Sequence, residues 1–181
     1  MNTIPAIRRW LETAFTEPPF LLNEQYFFDK RNRQFFSIFI TDYFLCDPAS
    51  GEGITDMPYS PEELAVLKER MDRLEEKSAD LLYVPRLTVA QRTDMIRLFL
   101  NEQGLPGDEE LDNITKAVNG RSNLDVGAAL LPEMRAGWQR FSNNYLHQVI
   151  DAFCTHHHID LASCSVWTDE KAISIQLNTR N

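Results

Sequence analysis

The stretch "EQYFFDKRNRQFFSIFITDYFLC", residues 24–46, decides the fold. Two runs rich in aromatic residues flank the polar segment "DKRNRQ", which is the pattern of a β-hairpin. Rings and β-branched side chains suit a pleated, half-buried surface, and the polar insert suits a turn. The second run is long and almost wholly apolar or aromatic, which predicts a strand covered on both faces.

Around this hairpin the sequence reads mainly as helix. Residues 4–15 place Ile4, Ile7, Trp10 or Leu11, and Phe15 at helical spacing, and "EPP" at 17–19 stops that run because proline cannot continue the hydrogen-bonding pattern. "DPASGEG" at 47–53 has loop chemistry. In "YSPEELAVLKERMDRLEEK", residues 59–77, Ser60 and Glu63 form a capping box, with Pro61 at the first helical position. Leu64, Leu67, Met71 and Leu74 then make a narrow apolar stripe, read as a surface helix packed on its own core. "DLLYVP" (80–85) reads as a short strand. "LTVAQRTDMIRLFLNEQG" (87–104) reads as a helix with Thr88 and Gln91 as a second capping box and Gly104 near its end.

Further along, "DEELDNITKAVNG" (108–120) predicts a shorter helix whose acidic start suits the helix dipole, and "NLDVGAALL" (123–131) another, stopped before Pro132. The longest helix is expected from Glu133 to about His157, with Met134, Trp138, Phe141, Tyr145, Val149 and Phe153 on one face. The final "IDLASCSVWTDEKAISIQLN" contains short alternating runs consistent with strands. The expectation is therefore an α+β chain, mostly helical, with a small antiparallel sheet built on the aromatic β-hairpin. It is organised as a single domain: an appended N-terminal helix (1–20), hairpin and loop (21–58), helical part (59–157) and a tail with short strands (158–181).

The bulk numbers exclude several classes. A chain of 181 residues with 43% hydrophobic content can bury a core and is not disordered. No apolar run reaches the roughly 18–20 residues that span a bilayer, so no membrane partner is expected. "MNTIPAIRRWLETAF" has arginines where a signal peptide needs an apolar centre. Three cysteines without an export signal read as reduced thiols in a bacterial-type cytoplasm. A net charge of −9 repels phosphate backbones and disfavours nucleic acid. The charge is uneven, however: Lys30, Arg31 and Arg33 make a basic hairpin tip, a candidate interaction surface, whereas 101–115 carries Glu102, Asp108, Glu109, Glu110 and Asp112 with no Lys or Arg.

Residues 22–165 resemble the small acidic bacterial proteins grouped as uncharacterised protein family zero-one-five-eight. The carrying pieces are "YFFDKRNRQFFSI", "YVPRLTVAQRTDMIRLFL", "LDNITKAVNGR" and "WQRFSNNYLHQVIDAFCTHHHI". The resemblance implies an α+β fold and a bacterial cytoplasmic home, and it implies no activity. It also puts His158 where that family commonly has a helix-stopping glycine. After Gly120-Arg121 the family usually shows a basic, Phe-containing run, and here "SNLDVGAALL" stands instead.

Candidate chemistry concentrates in "CTHHHIDLASC", residues 154–164. Cys154, His156, His158 and Cys164 carry the donor atoms zinc takes, with Asp160 as a spare. Their spacing gives neither a C-x₂₋₄-C knuckle nor an H-x₃₋₅-H pair, and adjacent histidines on a helix point about 100° apart. The simpler reading is a helix end, where imidazoles meet the partial negative charge of free carbonyls. No G-x-S-x-G, H-E-x-x-H or EF-hand spacing occurs. Trp138, Phe141 and Tyr145 read as core. Tyr26, Phe27, Phe28, Phe35, Phe36, Phe39, Tyr43 and Phe44 offer more aromatic surface than one hairpin face can bury, which points to a dimer or partner surface. The function expected is that of a non-enzymatic interaction or regulatory protein, its partner a second protein or itself, with no cofactor. The alternative is a metal-binding protein or metalloenzyme holding zinc in the 154–164 cluster.

Overall fold

The computed structural model describes residues 3–16, 24–46, 59–105, 113–114, 126, 130 and 132–167. The readings made on 17–19, 47–53, most of 106–131 and 168–181 lie outside these residues. The described chain divides into two compact units. One is built from residues 24–46, 59–84 and 163–167, the other from 3–16, 85–105, 113–114, 126, 130 and 132–162.

The first unit is a sheet with helices. β1 (Glu24–Asp29) and β2 (Gln34–Phe39) form the expected antiparallel hairpin, with Phe27 opposite Phe36 and Phe28 opposite Phe35. β3 (Leu81–Tyr83) adds antiparallel to β1, and β4 (Ser165–Val166) adds to β2, giving the order β3-β1-β2-β4. β4 runs parallel to β2, so the sheet is mixed where an antiparallel one was expected. A strand returning from the far end of the chain is not bound by the geometry of a hairpin turn.

The second aromatic run does not stay a strand. After Phe39 the chain turns into α2 (Ile40–Cys46). Asp42 accounts for the change: its buried carboxylate accepts the Phe39 N–H at 2.7 Å and the Tyr59 hydroxyl at 2.8 Å, which pins the first turn of a helix. α3 (Pro61–Glu75) begins at the predicted capping box, with the Ser60 N–H donating to Glu63 and the Glu63 N–H donating to Ser60. It lays Leu67 and Met71 on the sheet face that carries Phe27, Phe36 and Ile38. At roughly 1.5–3 kcal/mol for each large apolar side chain taken from water, this cluster contributes strongly to the cohesion of the unit.

The second unit is helical. α1 (Ile4–Thr16) packs on α5 (Arg135–His156), with Phe15 edge-on to Phe153 at 5.5 Å. α4 (Val89–Glu102) starts at the predicted Thr88/Gln91 box and stops at Gly104, whose φ of 70° a residue with a Cβ adopts only at a cost. Its core joins Met95, Ile96, Phe99 and Leu100 to Trp138, with Ile114, Val126 and Leu130. The buried row of α5 is Trp138, Ser142, Leu146, Ile150 and Cys154, joined by Phe153. Phe141 and Tyr145, expected in the core, pack at its margin and stay half-exposed.

Candidate functional site

The hairpin tip was the first candidate surface. Lys30, Arg31 and Arg33 are exposed, and two of them are engaged by the loop before β3. The Lys30 ammonium donates to the Ala79 carbonyl at 2.9 Å, and the Arg31 guanidinium pairs with Asp80 at 2.6 Å. Arg33 sits in the left-handed region (φ 51°), and its carbonyl accepts the Ser165 N–H at 3.0 Å, so its backbone joins β4 to the sheet. What holds this turn is Asp29, which is fully buried. Its carboxylate accepts the Arg31 N–H (3.0 Å) and the Asn32 side-chain amide (2.9 Å), an Asx-type turn. It also accepts both guanidinium arms of Arg73, at 3.0 and 3.1 Å.

That ion pair belongs to a buried cluster. Arg70, one turn earlier on α3 and 1% exposed, holds Nε 3.8 Å from the same carboxylate and donates from Nη2 to Gln34. Its guanidinium lies over the Phe36 ring at 4.3 Å and faces the Trp167 ring at 5.2 Å. Nε and Nη1 of Arg70 have no hydrogen-bond partner. Burial pushes the Asp29 carboxyl up. The hydrogen bonds from Arg73 and Asn32, with the Arg73 charge, outweigh this and leave it below its ordinary value. Burial pulls the Arg70 guanidinium down, opposed by Asp29 and Glu69. The cluster has the chemistry of an internal brace: each charge is enclosed. Nothing in the helical stripe Leu64, Leu67, Met71, Leu74 announced it, because Arg70 and Arg73 occupy positions that read as polar surface.

Five of the aromatic residues of the hairpin are consumed by the fold, Phe39 is half-buried, and the side chain of Phe44 lies outside the described residues. Tyr26, Phe27, Phe28, Phe35 and Phe36 are all buried, and of the set expected to spill outward Tyr43 stands 40% exposed.

The 154–164 stretch closes α5. Cys154 is buried, His156 is exposed at the last helical residue, and His158 is exposed with φ 56°. The Ile159 N–H donates to the Cys154 carbonyl at 2.8 Å and the His158 N–H to the Thr155 carbonyl at 3.2 Å, the paired bonds of a Schellman cap. His158 thus holds the left-handed position itself. Cys154 and His158 share an open cavity of about 590 Å³ with Asp151 and Asp160, and His156 is not in its lining. Cys164 is half-buried beside β4 in the first unit. Among the described residues no group of three or more His, Cys, Asp or Glu side chains could hold a metal ion. Because a non-glycine residue in the left-handed region is strained, His158→Gly is expected to raise stability by about 0.5–1 kcal/mol. Thermal unfolding of the two proteins checks this, and a fall in midpoint would show the imidazole holding something the cap does not explain.

A third location was legible only as core. Between α4 and α5 lies an open groove of about 450 Å³. Leu98 and Glu102 stand on the α4 wall, and Arg140, Phe141, Asn144, Tyr145 and Gln148 on the α5 wall, positions that share one helical face at i, i+4 and i+8 spacing. Leu98 is 49% exposed. The Phe141 and Tyr145 rings stack at 6.5 Å along the floor, and Phe141 tilts on Phe99 at 5.5 Å. The described lining offers rings, carboxamides, one carboxylate and one guanidinium, and no serine, threonine, cysteine or histidine. Rings, carboxamides and one charge of each sign are a set that contacts and orients a bound group.

Comparison with family models found no match, and neither the curated proteins nor the solved structures yielded one. Among the described residues no helix is long and apolar enough to cross a membrane.

Proposed function

We propose that this protein acts by binding another protein, without chemistry of its own, and that the α4–α5 groove is the contact surface. The observation that carries the reading is the groove's composition: stacked Phe141 and Tyr145 with a half-exposed Leu98, edged by carboxamides and single opposite charges. Aromatic and Arg anchors inside a polar rim are the composition of protein interfaces. The basic hairpin tip is a weaker contact, since Lys30 and Arg31 already have partners. The cytoplasm is the proposed compartment, supported by Cys46, Cys154 and Cys164 not being joined in disulfides. No part of the reading rests on the family resemblance.

The test is parallel affinity capture with the wild-type chain and with Leu98→Asp, which puts a charge on the apolar wall at a residue 49% exposed. A protein recovered in near-equal amount by the wild type and lost on the variant is the expected result. Recovery that is identical for both chains would remove the groove from the function.

A further inference from the structure

We infer that the protein seated in the α4–α5 groove is a second copy of this chain, docked about a two-fold axis that runs along the groove. The inference rests on the groove being a contact surface and goes on to name its occupant.

Charge is the first reason. Each copy carries −9, so two copies repel unless the face they share is locally neutral. The described groove holds one carboxylate and one guanidinium, Glu102 on the α4 wall and Arg140 on the α5 wall. Some other exposed charges of the same unit find partners within the chain, as Arg8 does with Asp151 and Arg97 with Asp94, while Arg9, Glu133 and Arg135 stand exposed without an ion pair among the described residues. Among the described residues Glu102 and Arg140 make no ion pair or side-chain hydrogen bond with each other or with a third residue, although they line one cavity. An acid and a base held apart on opposite walls are the arrangement that a two-fold contact converts into two ion pairs.

Geometry is the second. Phe99, near the end of α4, packs on Trp138, near the start of α5, so Glu102 and Arg140 lie toward the same end of the groove. Rotation about an axis along the groove carries α4 of one copy over α5 of the other. Glu102 then meets the partner's Arg140, and Arg140 meets the partner's Glu102, while each Leu98 comes over the partner's Phe141 and Tyr145. The product is a four-helix contact about 21 Å long, the length of α4, with its apolar side chains central and its charges toward one end.

Sedimentation equilibrium on the full chain decides the matter. The wild type is expected at twice the monomer mass at tens of micromolar. Arg140→Glu, which sets two like-charged pairs face to face, is expected to weaken the dimer by about tenfold or more, and Glu102→Arg likewise. The double variant carrying both exchanges restores opposite signs and is expected to return to within about threefold of wild type, a recovery that damage to folding could not produce. A wild type that stays monomeric overturns the inference, as does a dimer indifferent to the single exchanges or one the double exchange does not rescue. The binding reading fails separately: a monomer whose captured partner is still lost on Leu98→Asp sinks the dimer and leaves the groove, and a monomer with identical capture from both chains sinks both.

Discussion

Replacing Asp29 with alanine is expected to destabilise the sheet unit by about 3–5 kcal/mol, a large share of the stability of an ordinary domain. The carboxylate is fully buried and accepts both arms of Arg73. Its removal leaves the buried guanidiniums of Arg73 and Arg70 without the counter-charge that made their burial tolerable. The Asx-type bonds to Arg31 and Asn32 go with it, so the turn that sets the β1–β2 register is loosened at the same time. Urea unfolding measures the loss; a change under about 1 kcal/mol would show the cluster to be incidental. Asp29→Asn separates the two contributions, since a carboxamide oxygen can still accept from the turn while the charge is gone.

The same carboxylate fixes a pH dependence. Its pKa in the folded chain lies below the ordinary value of 3.8, so ionised Asp29 stabilises the fold. That contribution is complete above the unfolded value and is lost as pH falls from there through the folded one. The acid limb of a stability–pH profile is therefore expected to begin near pH 4 and to flatten in Asp29→Asn.

How far the sequence reveals all this depends on the kind of signal. The hairpin and both capping boxes were legible because they are local: a polar insert between aromatic runs, and Ser60/Glu63 or Thr88/Gln91 at the spacing where side chain and backbone bond reciprocally. α2 was not, since "ITDYFLC" continues an aromatic run that strands favour, and one buried carboxylate at Asp42 decides for helix. The α5 stripe was read at its outer edge. Phe141 and Tyr145 mark it in the sequence, yet the deepest row steps by fours through Ser142 and Leu146 and uses smaller side chains. The rings left at the margin are what make the groove. Helical periodicity cannot tell a buried arginine from a surface one, so Arg70 and Arg73 stayed hidden until the sheet placed Asp29 opposite them. Cys154 and His158 were noticed for their chemistry, and the fold uses their backbones to end a helix.

Arg70→Met is expected to go the opposite way from Asp29→Ala and to raise stability by about 1–2 kcal/mol. Arg73 already meets Asp29 with two short bonds, whereas Arg70 reaches that carboxylate only at 3.8 Å. Two of its nitrogens are buried without a hydrogen-bond partner, and each such donor costs on the order of 1–3 kcal/mol. Its favourable contacts are the Gln34 bond and the faces of Phe36 and Trp167. Methionine keeps most of the stem volume, places a polarisable sulfur between the same rings and removes the buried charge. Arg73→Met is the control: it strands Asp29 and is expected to cost as much as losing Asp29 itself. If Arg70→Met instead destabilises by several kcal/mol, the cation stacked between Phe36 and Trp167 is the structural centre of the unit and Arg73 the accessory, because a guanidinium loses that much only when its ring contacts and its charge on Asp29 outweigh the donors it leaves unpaired.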